Sequence, residues 1–244
     1  MNFELMGEAF PQILGGVPDA LMLVFSSLAL GFILAVVLAQ MRLSKSVVLN
    51  RVAYAYVYVF RSTPLLVQIF LIYYGSGQFR AVLQDLGIWF LFREAWFCAI
   101  AALTMNTGAY TSEIIRGGIQ SVPFGQIEAA KAVGMSGLQV FRRVVFPVAI
   151  RQALPAYGNE IILMVKSSSL ASTITILEIT GIAKKIIAAT FAPVEVFIIA
   201  GGFYLLMNFI VTRAIMFIER ALSPQLYRDR DARRKSTKVE LPAH

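Results

Sequence analysis

Of the chain's 244 residues 58% are hydrophobic, and mean hydropathy is +0.70, whereas soluble domains hold about 45–50% apolar residues; the sequence is that of an integral membrane protein. The formal charge of +8 sits between apolar runs and at the C-terminus, a positive-inside pattern rather than a nucleic-acid patch. A single cysteine, Cys98, and a single histidine, the terminal His244, exclude a disulfide framework, a thiolate metal cluster, a zinc site and a Ser-His nucleophile pair.

No signal peptide is expected, because the first basic residue is Arg42 and a cleavable signal requires a positive n-region. Residues 1–16 are expected as a periplasmic N-terminal segment. Residues 17–41 are apolar and, at about 1.5 Å per residue, long enough to cross a ~30 Å hydrocarbon core. Glu4, Glu8 and Asp19 lie before or at the start of this span, whereas Arg42, Lys45 and Arg51 follow it; the asymmetry puts the N-terminus outside. Residues 47–60 contain Arg51 and are followed by Arg61, which suits an in-plane or boundary helix. A second span is predicted at 63–79, with Pro64 in its first turn.

The next loop carries Arg80, Asp85, Arg93 and Glu94 and, lacking a positive excess, reads as external. A third span, 95–115, returns the chain to the inside, where Arg116, Lys131, Arg142, Arg143 and Arg151 collect. A fourth, 152–171, is interrupted by Pro155 and by the polar run from Lys166 to Ser169, which is tolerated only against protein or a water-lined cavity. Residues 173–193, with Glu178, Lys184, Lys185 and nearby Glu195, are expected as an external or partly re-entrant hairpin. A fifth span, 196–218, ends among Arg213, Arg220, Arg228, Arg230, Arg233, Arg234 and Lys235. Residues 220–244 are therefore a cytoplasmic basic tail, expected to be disordered beyond Pro224. The fold class is an all-α integral membrane protein of about five transmembrane helices, N-terminus out and C-terminus in, without internal repeats.

Residues 125–147, GQIEAAKAVGMSGLQVFRRVVFP, break the apolar pattern on the inside. Small alanines let a short helix seat closely in a partner's groove, Gly134 ends that helix, and Glu128 offers a charge to a basic partner. For Glu-Ala-Ala alone an ordinary amphipathic loop is the simpler reading. The spacing, however, resembles the EAA coupling loop of ATP-binding-cassette (ABC) importer permeases: Glu128-Ala129-Ala130, three residues, Gly134, then Val144, Phe146 and Pro147, with conservative departures where the family has Ile and Leu. Arg61 to Gln68 (RSTPLLVQ) is similar to the opening of the second span in permeases for polar amino acids, Ser62 replacing a glycine. Asn106 to Gly118 is similar to the third span, and Lys166-Ser-Ser-Ser-Leu170 to a later Lys-x-Thr-Ser-Leu segment.

The resemblance runs from about Gly16 to Leu222 and implies a type I ABC importer transmembrane domain over 17–219, multi-pass in a bacterial inner (plasma) membrane. Residues 153–172 are most similar to the branch for histidine, arginine and related basic amino acids or the opines octopine and nopaline. The family's biology implies that this chain binds no cofactor, since ATP and Mg act on a partner ATPase subunit docked at Glu128, Ala129, Ala130 and Gly134. It also implies a second permease subunit, identical or homologous, and a periplasmic substrate-binding protein. No Gly-Lys dipeptide occurs, so the chain has no Walker A loop.

A charge near mid-membrane costs about 2.5–3.5 kcal/mol, so Glu160 and Lys166 need partners. Six residues apart on a helix, they are not partners of each other. With Asn159 and Ser169 they either contact the ammonium and carboxylate of a zwitterionic substrate or are bridged to neighbouring helices or a second subunit. Asn106, Tyr110, Glu113 and Gly117 share a stripe; Asn106 is the deeper, substrate-side candidate, and Glu113 with Arg116 is read as a boundary ion pair. Gly201, Tyr204 and Asn208 share a face on which close helix contact is expected, and Arg61 is expected to snorkel inward. Competing readings are an ion-coupled secondary amino acid transporter or channel, whose paired repeats with buried carboxylates are not found in the sequence, and a membrane scaffold without transport.

Overall fold

The computed structural model describes residues 1–222, and every regular element among them is helical. The predicted basic tail lies outside the described residues apart from 220–222, which finish the last helix. Residues 1–16, expected as an external segment, form α1 (Phe3–Leu14), capped by Asn2, which accepts the Leu5 N–H at 3.1 Å. Ala9 and Ile13, one turn apart, are buried. Phe10 packs on Phe203 with ring centroids 5.0 Å apart, and the Asn2 N–H donates to Glu195 at 3.3 Å. α2 (Val17–Leu43) follows almost directly, giving a helical stretch of 41 residues from Phe3 to Leu43.

α3 (Val47–Ser62) and α4 (Leu65–Gln78) meet at 103° across Thr63-Pro64. α4 has 14 residues, about 21 Å of helix. The second span predicted at 63–79 is therefore too short to cross alone and reaches that length only together with α3. The predicted external loop holds two short helices, α5 (Arg80–Asp85) and α6 (Trp89–Phe92), before α7 (Ala95–Gln120). Next come α8 (Phe124–Ala132), α9 (Gly137–Val140) and a π-helical turn, Phe141–Val145. α10 (Phe146–Ser167) then passes through Pro155 without a break, contrary to the expected interruption. Both Pro155 and Arg151, whose carbonyl loses its donor, lie on the exposed side.

The polar run also continues the helix, as a 3-10 segment, Ser168–Ile174. Its hydroxyls turn back on carbonyls three residues earlier: Ser168 on Val165 at 2.8 Å, Ser169 on Lys166 at 2.7 Å, Ser172 on Ser169 at 2.7 Å and Thr173 on Leu170 at 2.6 Å. Such back-bonding satisfies each hydroxyl and suits a tightened helix. Within the external or partly re-entrant hairpin expected at 173–193 lies α11 (Ile179–Thr190), an amphipathic helix bent 47° from the helical stretch before it, burying Ile179, Ala183 and Ile186 and exposing Lys184 and Lys185. α12 (Pro193–Leu222) closes the chain.

Glycines set the closest helix approaches. Gly31 lies against Thr107 and Gly108 against Leu34, joining α2 to α7; Gly118 lies on the Ala149 carbonyl, joining α7 to α10; Gly158 lies against Ile215, joining α10 to α12. Small residues allow such approach where no hydrophobic force drives helices together. Among the described residues no close contact forms at Gly201: the residue is exposed, and a Cβ there would meet nothing within 4 Å.

Two helical stretches among the described residues, Phe3–Leu43 and Pro193–Leu222, are long and apolar enough to cross a membrane. Four are reached if the bent pairs Val47–Ser62 with Leu65–Gln78 and Gly137–Ile174 with Ile179–Thr190 each count as one. α7 is not among them although its 26 residues give about 39 Å of helix. Asn106, Thr107, Thr111 and Ser112, all buried inside the protein, lower its hydropathy.

Candidate docking loop and translocation site

Residues 122–145 form a small unit beside the main bundle, with its own core of Val122, Ala130, Val140 and Val145. α8 ends at Gly134, whose φ of +82° is the left-handed conformation glycine adopts without strain. The Gly134 N–H donates to the Lys131 carbonyl at 2.9 Å and the Met135 N–H to the Ala130 carbonyl at 3.1 Å, the paired bonds of a Schellman motif. α9 restarts the chain with a capping box between Ser136 and Gln139. The unit thus fixes where α8 stops and which face it presents.

Of the predicted docking residues, Glu128, Ala129 and Gly134 are exposed, whereas Ala130 is buried at 6% exposure. Ala130 anchors α8 to its own core and does not lie on the outer face. Phe124, Val133 and Leu138 are exposed on the same unit, at 70%, 75% and 76%. Their apolar surface did not enter the sequence reading, which had weighed small and charged residues alone.

The predicted pathway residues divide into two sets. Asn106 and Glu160 are buried: Glu160 accepts a hydrogen bond from the Thr107 hydroxyl at 2.8 Å, linking α10 to α7. Asn106 donates to Gln68 Oε1 at 3.0 Å and to the Phe60 carbonyl at 3.4 Å. Asn159 and Lys166, seven residues apart, are exposed on one stripe of α10 with Leu163 between them, and half-buried Ser169 follows. The structure therefore does not gather all five residues at one point. Thr107 and Gln68 were overlooked as partners, although Thr107 adjoins Asn106 and Gln68 is a lone amide in an apolar run.

The boundary pair is larger than predicted. Glu113 accepts from Arg116 at 2.6 Å and from Arg42 at 3.2 Å; Arg42 also donates to Asn50 at 2.6 Å, and Asn50 returns a bond to the Arg42 carbonyl at 2.7 Å. One carboxylate thus braces α2 and α7, with α3 attached through Asn50. Arg61, expected to snorkel, has its guanidinium over the Tyr110 ring, 5.1 Å from the centroid. A second buried carboxylate, Glu178, caps α11 by accepting the Thr180 and Gly181 N–H groups at 3.0 and 2.9 Å, and receives the Tyr204 hydroxyl at 2.6 Å. Sequence reading had counted Glu178 only as loop polarity.

An apolar helical bundle with polar side chains turned inward, and a compact helical unit with an exposed apolar face at one end, is the build of a membrane subunit of a transport system. Residues 8–224 match the family described as binding-protein-dependent transport system inner membrane component, and the chain belongs to that family. It is 62% identical over 226 residues to a nopaline transport system permease protein of Agrobacterium fabrum, covering 93% of this chain and 94% of that one. It is 41% identical over 205 residues to a histidine/lysine/arginine/ornithine transport system permease protein of Salmonella typhimurium, covering 84% and 87%. Among solved structures, an amino acid ABC transporter crystallised with histidines contains a chain with 35% identity and a TM-score of 0.80, covering 91% of this chain and 99% of that one. The MetNI methionine ABC transporter, at 21% identity and a TM-score of 0.64, covering 86% and 95%, shares the fold. The fold is that of a type I ABC importer permease. In this family ATPase activity sits on a separate subunit; among the described residues no three metal-binding side chains cluster.

Proposed function

We propose that the chain is the permease subunit of an ABC importer that carries a polar, basic amino acid or an opine across the inner membrane, driven by ATP hydrolysed on a partner subunit. The observation that carries this reading is near-full-length identity of 62% to a nopaline permease, supported by the octopine and arginine permeases at 56% and 38%. Relatives of this kind do not favour an ion-coupled carrier. The finer topology is five spans with the N-terminus outside: α2, the α3–α4 pair, α7, α10 and α12. It is supported by the basic residues Arg42, Lys45 and Arg51 after the first span and by α7's length.

In this reading the domain covers 17–219, with 1–16 periplasmic and 220–244 cytoplasmic. Glu128, Ala129 and Gly134 meet the ATPase together with exposed Phe124, Val133 and Leu138, and Ala130 holds α8 in place. The substrate path runs along α7 and α10: Glu160 attracts the cationic end of the substrate, while Asn159, Lys166 and Ser169 line the exposed stripe towards a second permease subunit. Asn106 joins the path through its Oδ1 while its Nδ2 stays bonded to Gln68. A periplasmic binding protein delivers the substrate. The reading is tested by reconstituting the complex with its receptor in vesicles: uptake should require ATP, and Glu160→Gln and Lys166→Gln should lower it with assembly intact. Uptake driven by a sodium or proton gradient without ATP would overturn the importer reading, and normal uptake by both variants would remove the two residues from the path.

A further inference from the structure

The break between α3 and α4 is fastened to α7 by a buried pair of amides. Pro64 has no N–H, so the Phe60 carbonyl four residues back has lost its helical donor. Thr63 turns its own hydroxyl back to the Val59 carbonyl at 2.8 Å. Gln68, 6% exposed, reaches back from the first turn of α4: its Nε2 donates to the orphaned Phe60 carbonyl at 2.9 Å, to the Thr63 carbonyl at 3.1 Å and to the Thr63 hydroxyl at 2.8 Å. Its Oε1 accepts from Asn106 Nδ2 at 3.0 Å, and Asn106 also reaches the Phe60 carbonyl at 3.4 Å. A proline bend needs only a donor for the freed carbonyl, and water or a neighbouring hydroxyl serves. Here the donor is an amide whose other end is bonded to a different helix.

Two further bonds run along the same part of α7. The Tyr56 hydroxyl donates to the Met105 carbonyl at 2.9 Å, and the Tyr110 hydroxyl to the Arg61 carbonyl at 3.4 Å. α7 itself continues to Gln120, two residues before Val122, which is buried in the small core that carries α8. A push on α8 therefore reaches α7, and with it the elbow.

We propose that Gln68 is a positioning residue for transport, whose amide, paired with Asn106, locks the Pro64 elbow to α7 so that α3, α4 and α7 move as one body. This rests on the importer reading above. It is tested in the assembled complex with its ATPase, second permease and receptor, after Cys98→Ala removes the one native thiol, which is buried. Spin labels are placed at Tyr58→Cys on α3 and Leu71→Cys on α4, positions 61% and 67% exposed, and their separation is measured by pulsed electron paramagnetic resonance without nucleotide and with ATP and vanadate.

With Gln68 intact the distance distribution should be narrow and the same in both states. Gln68→Glu keeps an acceptor for Asn106 but cannot donate to Phe60, and Gln68→Met loses both bonds. Each should broaden the distribution and lower uptake by about tenfold or more while ATP hydrolysis continues. A shift of the wild-type distance between the two states, beyond the width of the distribution, overturns the one-body elbow. Narrow distributions with full uptake in both variants overturn the role of Gln68. If the variants fail to assemble, the wild-type measurement still decides, and failure of ATP-driven uptake by the wild-type complex would count against the importer reading alone.

Discussion

Neighbouring glycines on α7 should respond to the same substitution with opposite signs. A Cβ built at Gly118 would lie 2.7 Å from the Ala149 carbonyl oxygen and 3.1 Å from the Ala153 Cβ, whereas one at Gly117 would meet nothing within 4 Å. The obstacle at Gly118 is backbone, which cannot rotate away. To restore ordinary contact at 3.4 Å, α10 would have to retreat by about 3.4 − 2.7 = 0.7 Å. Overpacking of this kind costs about 1–3 kcal/mol. Gly→Ala inside a helix otherwise gains about 0.5–1 kcal/mol, and that gain is common to both sites, so the difference between the variants isolates the strain at about 2 kcal/mol. Gly118→Ala should come out about 1 kcal/mol less stable than wild type and Gly117→Ala slightly more stable. For an unfolding unit of this chain's length the difference corresponds to melting temperatures about 4–8 °C apart, and to a smaller gap in the assembled complex. ATP-driven uptake should fall for Gly118→Ala only, because that crossing holds α7 against α10 beside the docking unit. Equal melting temperatures for the two variants would refute the account of α7–α10 packing.

Gly134→Asp should abolish uptake while leaving substrate capture by the receptor intact. Asp and Asn both tolerate the left-handed C-cap, so the comparison with Gly134→Asn, which should retain more transport, isolates the charge that Asp adds to the exposed face; full uptake by the Asp variant would remove the loop from the mechanism. Glu113→Gln leaves Arg42 and Arg116 without their shared carboxylate, and since both Glu113 and Arg42 side chains are about 15% exposed the cost should approach the ~3 kcal/mol of a broken buried pair. The readout is the melting temperature of the complex, and an unchanged value would show that the brace carries no stability.

The helical class and the end of α8 at Gly134 were legible because each depends on local chemistry: apolar runs and a glycine at a left-handed position. What escaped reading depends on which side of a helix meets protein and on how polar groups are satisfied once the chain folds. Pro155 looked like an interruption because propensity penalises an internal proline, but its side of α10 is exposed and the helix continues. The run from Lys166 to Ser169 looked like an interruption of the fourth span because polar groups there need protein or a cavity, whereas the Ser168 and Ser169 hydroxyls bond their own backbone. Within 173–193 Glu178 was counted only as loop polarity; folded, it caps a helix and receives the Tyr204 hydroxyl. Gly201 carried the same small-residue signal as Gly31 and Gly118 yet faces outward, since spacing alone does not say which side of a helix has a neighbour.

The uneven legibility of the spans follows from the same division. The two stretches that pass on length and apolarity, Phe3–Leu43 and α12, bury little polar chemistry: Ser27 is the one buried polar residue of α2, and α12 contributes none. α7 buries Asn106, Thr107, Thr111 and Ser112, and α10 buries Glu160. A helix that keeps polar groups in a membrane must turn them towards protein or a cavity, and doing so lowers its mean hydropathy whether or not it crosses. Low apolarity in α7 thus reflects polar groups kept inside the bundle, whereas α10 also carries Arg151, Gln152, Asn159 and Lys166 on its exposed side. On the path proposed along α7 and α10, Glu160 is the most constrained member, a buried carboxylate bonded across the seam between the two helices by Thr107.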